Sequence, residues 1–231
     1  MNYLLNSPDD YHDWTCKENM NVSHEEKDSD FWKNYYKSNK KFTNDDIHIY
    51  KNIIPHELYK KMLIFKDERM LWKFGYTNKK ETLFDTNLGI DEIHHFYADL
   101  YHNLFFSSLF YKIILPNLSC IENKDNIQID RLFITGQLHG LSDLFHKDER
   151  SSVNYGPSVY FFLNDNWKTY HDGNLSFLLD SETNDIMHVE NKSNKIIVFP
   201  PDMYHRSSEI SGYGLFDNAF NSIIQYHLIY K

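Results

Sequence analysis

The chain reads as an α+β protein in which helices come first and a β-sandwich or jelly roll follows. Three observations predict this. Up to about residue 116 the apolar residues recur mostly at three- to five-residue steps, and from Asn126 onward the step is two. Clusters of Gly, Pro, Asn, Asp and Ser cut the second half into about eight pieces of strand length. The 231 residues are 41% hydrophobic and 16% aromatic, enough for one large domain with a substantial core.

The elements follow in order. Residues 1–46 are polar and turn-rich (SPDD, SHEEKDSD, FTNDD) and form an N-terminal extension. Phe31, Trp32, Tyr35 and Tyr36 share one helical face there, so a short helix over 29–37 is expected to strap the extension to the main domain 47–231. IHIYKNII (47–54) alternates like a strand and stops at Pro55. Pro55 suits the first turn of a helix running to residue 72, with Leu58, Met62, Leu63 and Phe65 on its buried side. WKFGYTNK (72–79) is a turn or strand. Ile93, Phe96, Leu100, Leu104, Leu109 and Ile113 then predict one long helix over 90–114, ended by Pro116. His94, His95 and His102 on or near it are expected to be solvated or hydrogen-bonded. Strands are expected at 127–135, 144–148, 158–163, 174–179, 187–190, 195–199, 203–208 and 220–229. TGQLHG, SSVNYGP, NDNW, HDG, SETND, NKSN, FPPD and SGYG separate them. Helices followed by short strands is an α+β order.

Composition excludes several classes. The net charge is −9 with no basic stripe, which disfavours nucleic acid as a partner. Two cysteines, Cys16 and Cys120, make no disulfide framework, and a reducing cytoplasm is the default. The opening MNYLLNSPDDYHDW has no basic stretch leading into an apolar core, so no signal peptide is expected. No apolar run approaches the ~20 residues of a membrane span. Nothing in the text fixes an oligomeric state.

Chemistry is concentrated in Leu144-Phe145-His146-Lys147-Asp148-Glu149 and in a distant histidine, His205. On a strand, side chains alternate faces, so His146 and Asp148 point the same way. With His205 from a neighbouring strand they can cap one face of an octahedral metal. Two imidazoles and a carboxylate leave three positions open, the arrangement of a non-haem Fe(II) oxygenase; a hydrolytic zinc site needs one. His188-Val189-Glu190 is the nearest rival pair. His139 and His171 fall in turns, and Glu149 and Arg150 suit a surface pair. GxSxG, Walker, GxGxxG and HExxH motifs are absent.

From Ile47 to the C-terminus the text resembles the prolyl 4-hydroxylase-like Fe(II)/2-oxoglutarate-dependent oxygenases. IHIYKNIIPHELYKKM is similar to their opening strand, turn and helix, and WKFG to a Trp-x-x-Gly. RLFITGQLHGLSDLFHKDE resembles the strand and Gly-rich turn leading into His-x-Asp. SVYFFLNDNWKTYHDGNLSFL, KIIVFPPDMYHRSSEI and FNSIIQYHLI resemble the later segments, the second of which carries the distal histidine. The resemblance implies a double-stranded β-helix with N-terminal helices packed on one sheet, and Fe(II) held by His146, Asp148 and His205. It implies 2-oxoglutarate and O2 as cosubstrates, decarboxylation to succinate, and hydroxylation of a small molecule or peptidyl residue by hydrogen abstraction and rebound.

One position departs from the pattern. The family places Arg or Lys on the last strand, two residues before Ser or Thr, to clasp the distal carboxylate of 2-oxoglutarate. Here Ser222 fits, but Phe220 stands in the cation's place, and His227 lies farther along. Arg131 is the favoured substitute, ahead of Arg206 and Lys195. Asp172-Gly173-Asn174 fills the family's Gly-Gly-Glu slot. Tyr160 and Phe162 share a face, from which the Tyr160 hydroxyl can bond a carboxylate or simply join the core. The missing cation also suits a lapsed jelly-roll binding protein, or a cupin-type metal enzyme that does not use 2-oxoglutarate.

Overall fold

The computed structural model describes residues 40–76, 95–141, 145–148, 154–217 and 219–231. The helix expected over 29–37, Cys16, His94, Leu144, Glu149 and Arg150 lie outside them. The described residues form an α+β fold of two antiparallel sheets. The larger contains β1 (His48–Lys51), β2 (Lys73–Tyr76), β3 (His95–Asp99), β4 (Ile127–Gln137), β5 (Tyr155–Phe162), β8 (Lys195–Phe199) and β10 (Asn221–Tyr230), in the order β1-β8-β5-β10-β4-β3-β2. The smaller contains β6 (Leu175–Asp180), β7 (Asp185–Val189) and β9 (His205–Ser207), in the order β7-β6-β9.

Strand alternation sorts the larger sheet into two faces. Leu132 and Ile134 of β4, Val159 and Phe161 of β5, Ile196 and Val198 of β8, and Ile224, Tyr226 and Leu228 of β10 join one buried cluster with the helices. Tyr160, Phe162, Ile197, Phe199 and Ile223 join a second cluster, with Leu175, Phe177 and Leu179 of β6. Each fully buried Phe or Ile contributes roughly 1.5–3 kcal/mol, so both faces stabilise the sheet.

Helix α1 (His56–Arg69) begins directly after Pro55, whose backbone is extended. Glu57 in its first turn and Lys66 and Arg69 in its last complement the helix dipole. Its buried stripe is Tyr59, Met62, Leu63 and Lys66, at helical spacing; Leu58 and Phe65 flank it, half-buried. The Tyr59 hydroxyl donates to the Asn164 carbonyl at 2.8 Å, clamping the helix to the loop after β5.

The single helix expected over 90–114 is not formed. Residues 95–99 are β3, hydrogen-bonded to β4 in the register Phe96↔Gly136 and Ala98↔Ile134. The apolar spacing there fits a helix, but pairing with an open sheet edge satisfies the backbone and decides the matter. The Asp99 carboxylate then accepts from the Tyr101 amide, turning the chain. Helix α2 (Leu104–Leu109) starts at Asn103, whose side chain accepts from the Phe105 amide at 3.1 Å. It runs through a π-helical turn, Phe110–Ile114, into α3 (Leu115–Asn117), which contains Pro116. Phe106, Leu109, Phe110, Ile114 and Leu115 bury against the helix face of the sheet.

The turns are built on asparagine. Asn166, Asp172, Asn184 and Asn194 all have positive φ, and each lies in one of the segments NDNW, HDG, SETND and NKSN. Asn and Asp adopt positive φ more readily than other non-glycine residues. Residues 40–46 lie against the smaller sheet: Phe42 is buried in the inter-sheet cluster and its amide donates to the Leu179 carbonyl at 2.9 Å.

Candidate metal centre

Two distant pieces of chain converge between the sheets. His205 opens β9, paired with Phe177 of β6. On its other side His146 forms an isolated antiparallel bridge to His205, with backbone bonds of 3.0 and 2.9 Å. The strand expected over 144–148 is therefore a short extended strip rather than a full ladder. Its next tie is the Asp148 amide, which donates to the Pro201 carbonyl at 2.9 Å. That strip suffices to aim His146 and Asp148 at one point. The ligand atoms of His146, Asp148 and His205 all lie within 4.8 Å of one another, and all three residues are buried. Among the described residues no other group of His, Cys, Asp and Glu meets that standard.

The surroundings prepare these groups for a cation. The Met203 carbonyl lies 3.1 Å from His205 Nδ1. A carbonyl only accepts, so Nδ1 carries the hydrogen and Nε2 presents its lone pair to the site. The Ser158 hydroxyl donates to Asp148 Oδ2 at 2.6 Å. The Tyr160 hydroxyl lies 2.9 Å from His205 Nε2 and 3.2 and 3.3 Å from the two Asp148 oxygens. Burial is the largest influence on Asp148 and alone would raise its pKa. The imidazoles of His227, His205 and His146 and the Ser158 hydroxyl outweigh it and hold the carboxyl down at about 2. Two imidazoles and an ionised carboxylate, buried together with hydroxyls and lone pairs aimed inward, are a donor set that fits Fe(II).

A cavity runs from the triad along β4 and β10. On β4 it is lined by Arg131, Phe133, Thr135 and Gln137, and on β10 by Asn221, Ile223, Gln225 and His227. Both sets step by two, as strand geometry requires. This phase corrects the expectation about the last strand. Phe220 and Ser222 do not line the cavity. The Phe220 ring packs directly on Gly136, where a Cβ has no room, and edge-on to Trp72 and Phe96 at 5.0 and 5.8 Å. At that level the cavity meets Asn221. Ser222 lies on the alternate face, with its amide bonded to Asn164 Oδ1 at 2.6 Å.

Arg131, in contrast, lines the cavity. Its Nη2 donates to the Asp148 carbonyl at 3.2 Å and lies 3.1 Å from His227 Nδ1. His227 is therefore part of the site, although its place far along β10 suggested otherwise. The β10 register brings it opposite Arg131 and Ser158. Burial pushes its pKa down to about 3, against the pull of Asp148. The Tyr160 hydroxyl faces the triad itself, 3.2 Å from Asp148 Oδ1 and 2.9 Å from His205 Nε2.

The remaining candidates are accounted for. His188 is exposed and bonds Ser176 at 2.9 Å, while Glu190 pairs with Lys192 and Thr169. His171 bonds Asp217 at 2.7 Å, and His139 bonds the Ile210 carbonyl at 2.7 Å. Arg206 lies over the Phe145 ring, and Lys195 reaches the Glu190 carbonyl; neither lines the cavity. His95, expected on a helix, is buried on β3 at the far end of the cavity. Sequence reasoning missed Ser158, Thr135, Gln225 and His227 as site residues. The signal was the strict alternation in SIIQYHLI, where Ile224, Tyr226 and Leu228 claim one face and leave Gln225 and His227 to the other.

No protein-family model matches the chain, and no curated protein matches it in sequence. Solved structures match its fold. A prolyl hydroxylase from Trichoplax adhaerens, in complex with a hypoxia inducible factor oxygen degradation domain peptide fragment, has a TM-score of 0.56 at 13% identity, over 87% of this chain and 88% of that one. A 2OG-Fe(II) oxygenase family oxidoreductase from Burkholderia pseudomallei has 0.56 at 9% identity, over 88% and 92%. A non-haem alpha-ketoglutarate-dependent epimerase from nogalamycin biosynthesis has 0.57 at 7% identity, over 87% and 82%. The chain thus has the double-stranded β-helix fold of the 2-oxoglutarate/Fe(II) oxygenases, prolyl hydroxylases among them, with a buried His-Asp-His triad at its centre.

Proposed function

We propose that this chain is an Fe(II)- and 2-oxoglutarate-dependent dioxygenase that hydroxylates a small molecule or a peptidyl residue. The observation that carries the reading is the buried triad, with donor atoms within 4.8 Å, opening onto a cavity that contains a guanidinium. His146, Asp148 and His205 would hold the iron, and the Arg131 guanidinium on the β4 wall would take the distal carboxylate of 2-oxoglutarate. Bound iron and 2-oxoglutarate supply the oxidation of an unactivated C–H by O2. The chain's own residues do the rest. Met203 and Ser158 fix the orientation of His205 and Asp148. Tyr160 supplies a hydroxyl beside both ligands. Leu175, Ile223 and Phe133 give the cavity apolar walls that limit water near the metal. Residues 47–231 form the catalytic domain, with 1–46 as an extension tied on through Phe42. No described helix is long and apolar enough to cross a membrane.

The test is anaerobic titration of the protein with Fe(II) and 2-oxoglutarate. A weak visible charge-transfer band and, once O2 is admitted, succinate release support the reading; neither appearing rejects it. One observation favours a second reading, a metal enzyme that does not use 2-oxoglutarate. The cavity face of β10 carries Asn221, Ile223, Gln225 and His227, with neither Arg nor Lys. Tight Fe(II) binding with no response to 2-oxoglutarate would select it.

A further inference from the structure

A hydrogen-bond chain lines the cavity beside the triad, with His227 Nδ1 3.7 Å from Asp148 Oδ1. It begins at Arg131 on β4, whose Nη2 faces His227 Nδ1 on β10 at 3.1 Å. A guanidinium only donates, so Nδ1 is the acceptor and the ring's hydrogen is on Nε2. Nε2 faces Gln225 Oε1 at 3.4 Å. The amide nitrogen of Gln225 in turn donates to Thr135 Oγ1 at 3.0 Å, and Thr135 lies 3.5 Å from the Ile223 carbonyl. Each step crosses between β4 and β10 or runs along the cavity side of one of them. With Nδ1 accepting from Arg131 and Nε2 donating toward Gln225, one tautomer of His227 satisfies both neighbours. The second Nη2 bond, to the Asp148 carbonyl at 3.2 Å, ties the guanidinium to the strip that carries the metal ligands.

We propose that His227 is a positioning residue: its Nδ1 lone pair aims the Arg131 guanidinium into the cavity, and the Gln225–Thr135 chain behind it keeps that lone pair in place. The proposal rests on the reading of Arg131 as the carboxylate anchor. A guanidinium from β4 has a long, rotatable stem, and carboxylate binding needs its plane held. Two acceptors on one nitrogen, the Asp148 carbonyl and His227 Nδ1, supply that restraint. Removing one loosens that restraint without removing the charge, while Asp130 Oδ2 remains 3.9 Å from Nε.

The experiment uses the full chain loaded with Mn(II), and measures calorimetrically the affinity for 2-oxoglutarate and for pyruvate, a 2-oxo acid with no distal carboxylate. The wild type is expected to prefer 2-oxoglutarate, and Arg131→Met to lose that preference. His227→Leu, measured at saturating Mn(II), is expected to weaken 2-oxoglutarate binding about tenfold, within the 10–100-fold range of residues that orient a site, and pyruvate binding by clearly less. His227→Asn, whose side-chain carbonyl can accept from Arg131, is expected to recover most of the loss. Should His227→Leu fail to melt cooperatively, Gln225→Leu serves in its place, with a smaller loss expected. A preference lost in Arg131→Met but kept in a folded His227→Leu overturns this proposal alone. No preference in the wild type, with Mn(II) bound, overturns the anchor reading and this proposal with it.

Discussion

The two faces of the β4–β10 pair share one backbone and differ in everything else. On the helix face, Leu132, Ile134, Ile224, Tyr226 and Leu228 are packed dry against α1, α2 and the π-helical turn. On the cavity face, Arg131, Thr135, Gln225 and His227 are joined by hydrogen bonds. The helix face is stabilised by area removed from water, which tolerates many apolar shapes. The cavity face holds polar groups that each need a partner, so single changes there leave orphans. The difference teaches that stability and chemistry are assigned to alternate residues of the same strands, and that substitutions at adjacent positions should separate them.

The largest effect expected is on metal binding. Asp148→Ala or His205→Ala removes a ligand and should weaken Fe(II) or Mn(II) binding by on the order of 100-fold or more, read by metal titration, with a cooperative melt retained. Retention of wild-type affinity would remove the triad from the site. Next comes Ile224→Ala on the helix face, fully buried. It should cost about 2–5 kcal/mol in denaturant unfolding while leaving metal affinity unchanged in the folded protein. If it alters metal affinity as much as stability, the two faces are not separable.

A third test concerns the helix clamp. Burial pushes the Tyr59 hydroxyl up to about 12, above its unfolded value near 10. The folded state thus holds the proton more tightly. The stabilisation is complete below about pH 10 and is lost as pH rises through about 12, amounting to roughly 2–3 kcal/mol. Tyr59→Phe should flatten that alkaline slope in urea midpoints measured across the window, and an unchanged slope would reassign it. The smallest effect is expected from Ser158→Ala, which removes the 2.6 Å bond to Asp148. It should weaken metal binding about tenfold and lower stability by only about 1 kcal/mol. Phe220→Arg sharpens the comparison from the other side. The side chain faces Gly136 and Trp72 rather than the cavity, so it should destabilise the protein without improving 2-oxoglutarate binding.

Much of this was legible in the text because strands announce themselves locally. The turns at Asn166, Asp172, Asn184 and Asn194 were marked by residues that tolerate positive φ, and β8 emerged at its expected limits, Lys195–Phe199. The His-x-Asp pair and the distant histidine were visible because metal ligands are few in kind and need set spacings. Residues 95–99 were misread because a helical apolar spacing and a sheet edge compete for the same segment, and only the neighbour β4 decides. On the last strand the family slot falls at Phe220, whereas Ile224, Tyr226 and Leu228 claim the helix face and leave the cavity to Asn221, Ile223, Gln225 and His227.

The amino-acid sequence by itself determined most strands after residue 126, the turns between them and the three residues of the triad, since each depends on residues close together or on chemistry few side chains can supply. Tertiary structure alone decided which cation enters the cavity, that Phe220 leaves it, and that His227 joins Arg131 beside Asp148. Those outcomes depend on the register between β4 and β10, which pairs residues 96 positions apart in the case of Arg131 and His227. No local preference encodes such a register; the burial of one whole face against the helices sets it.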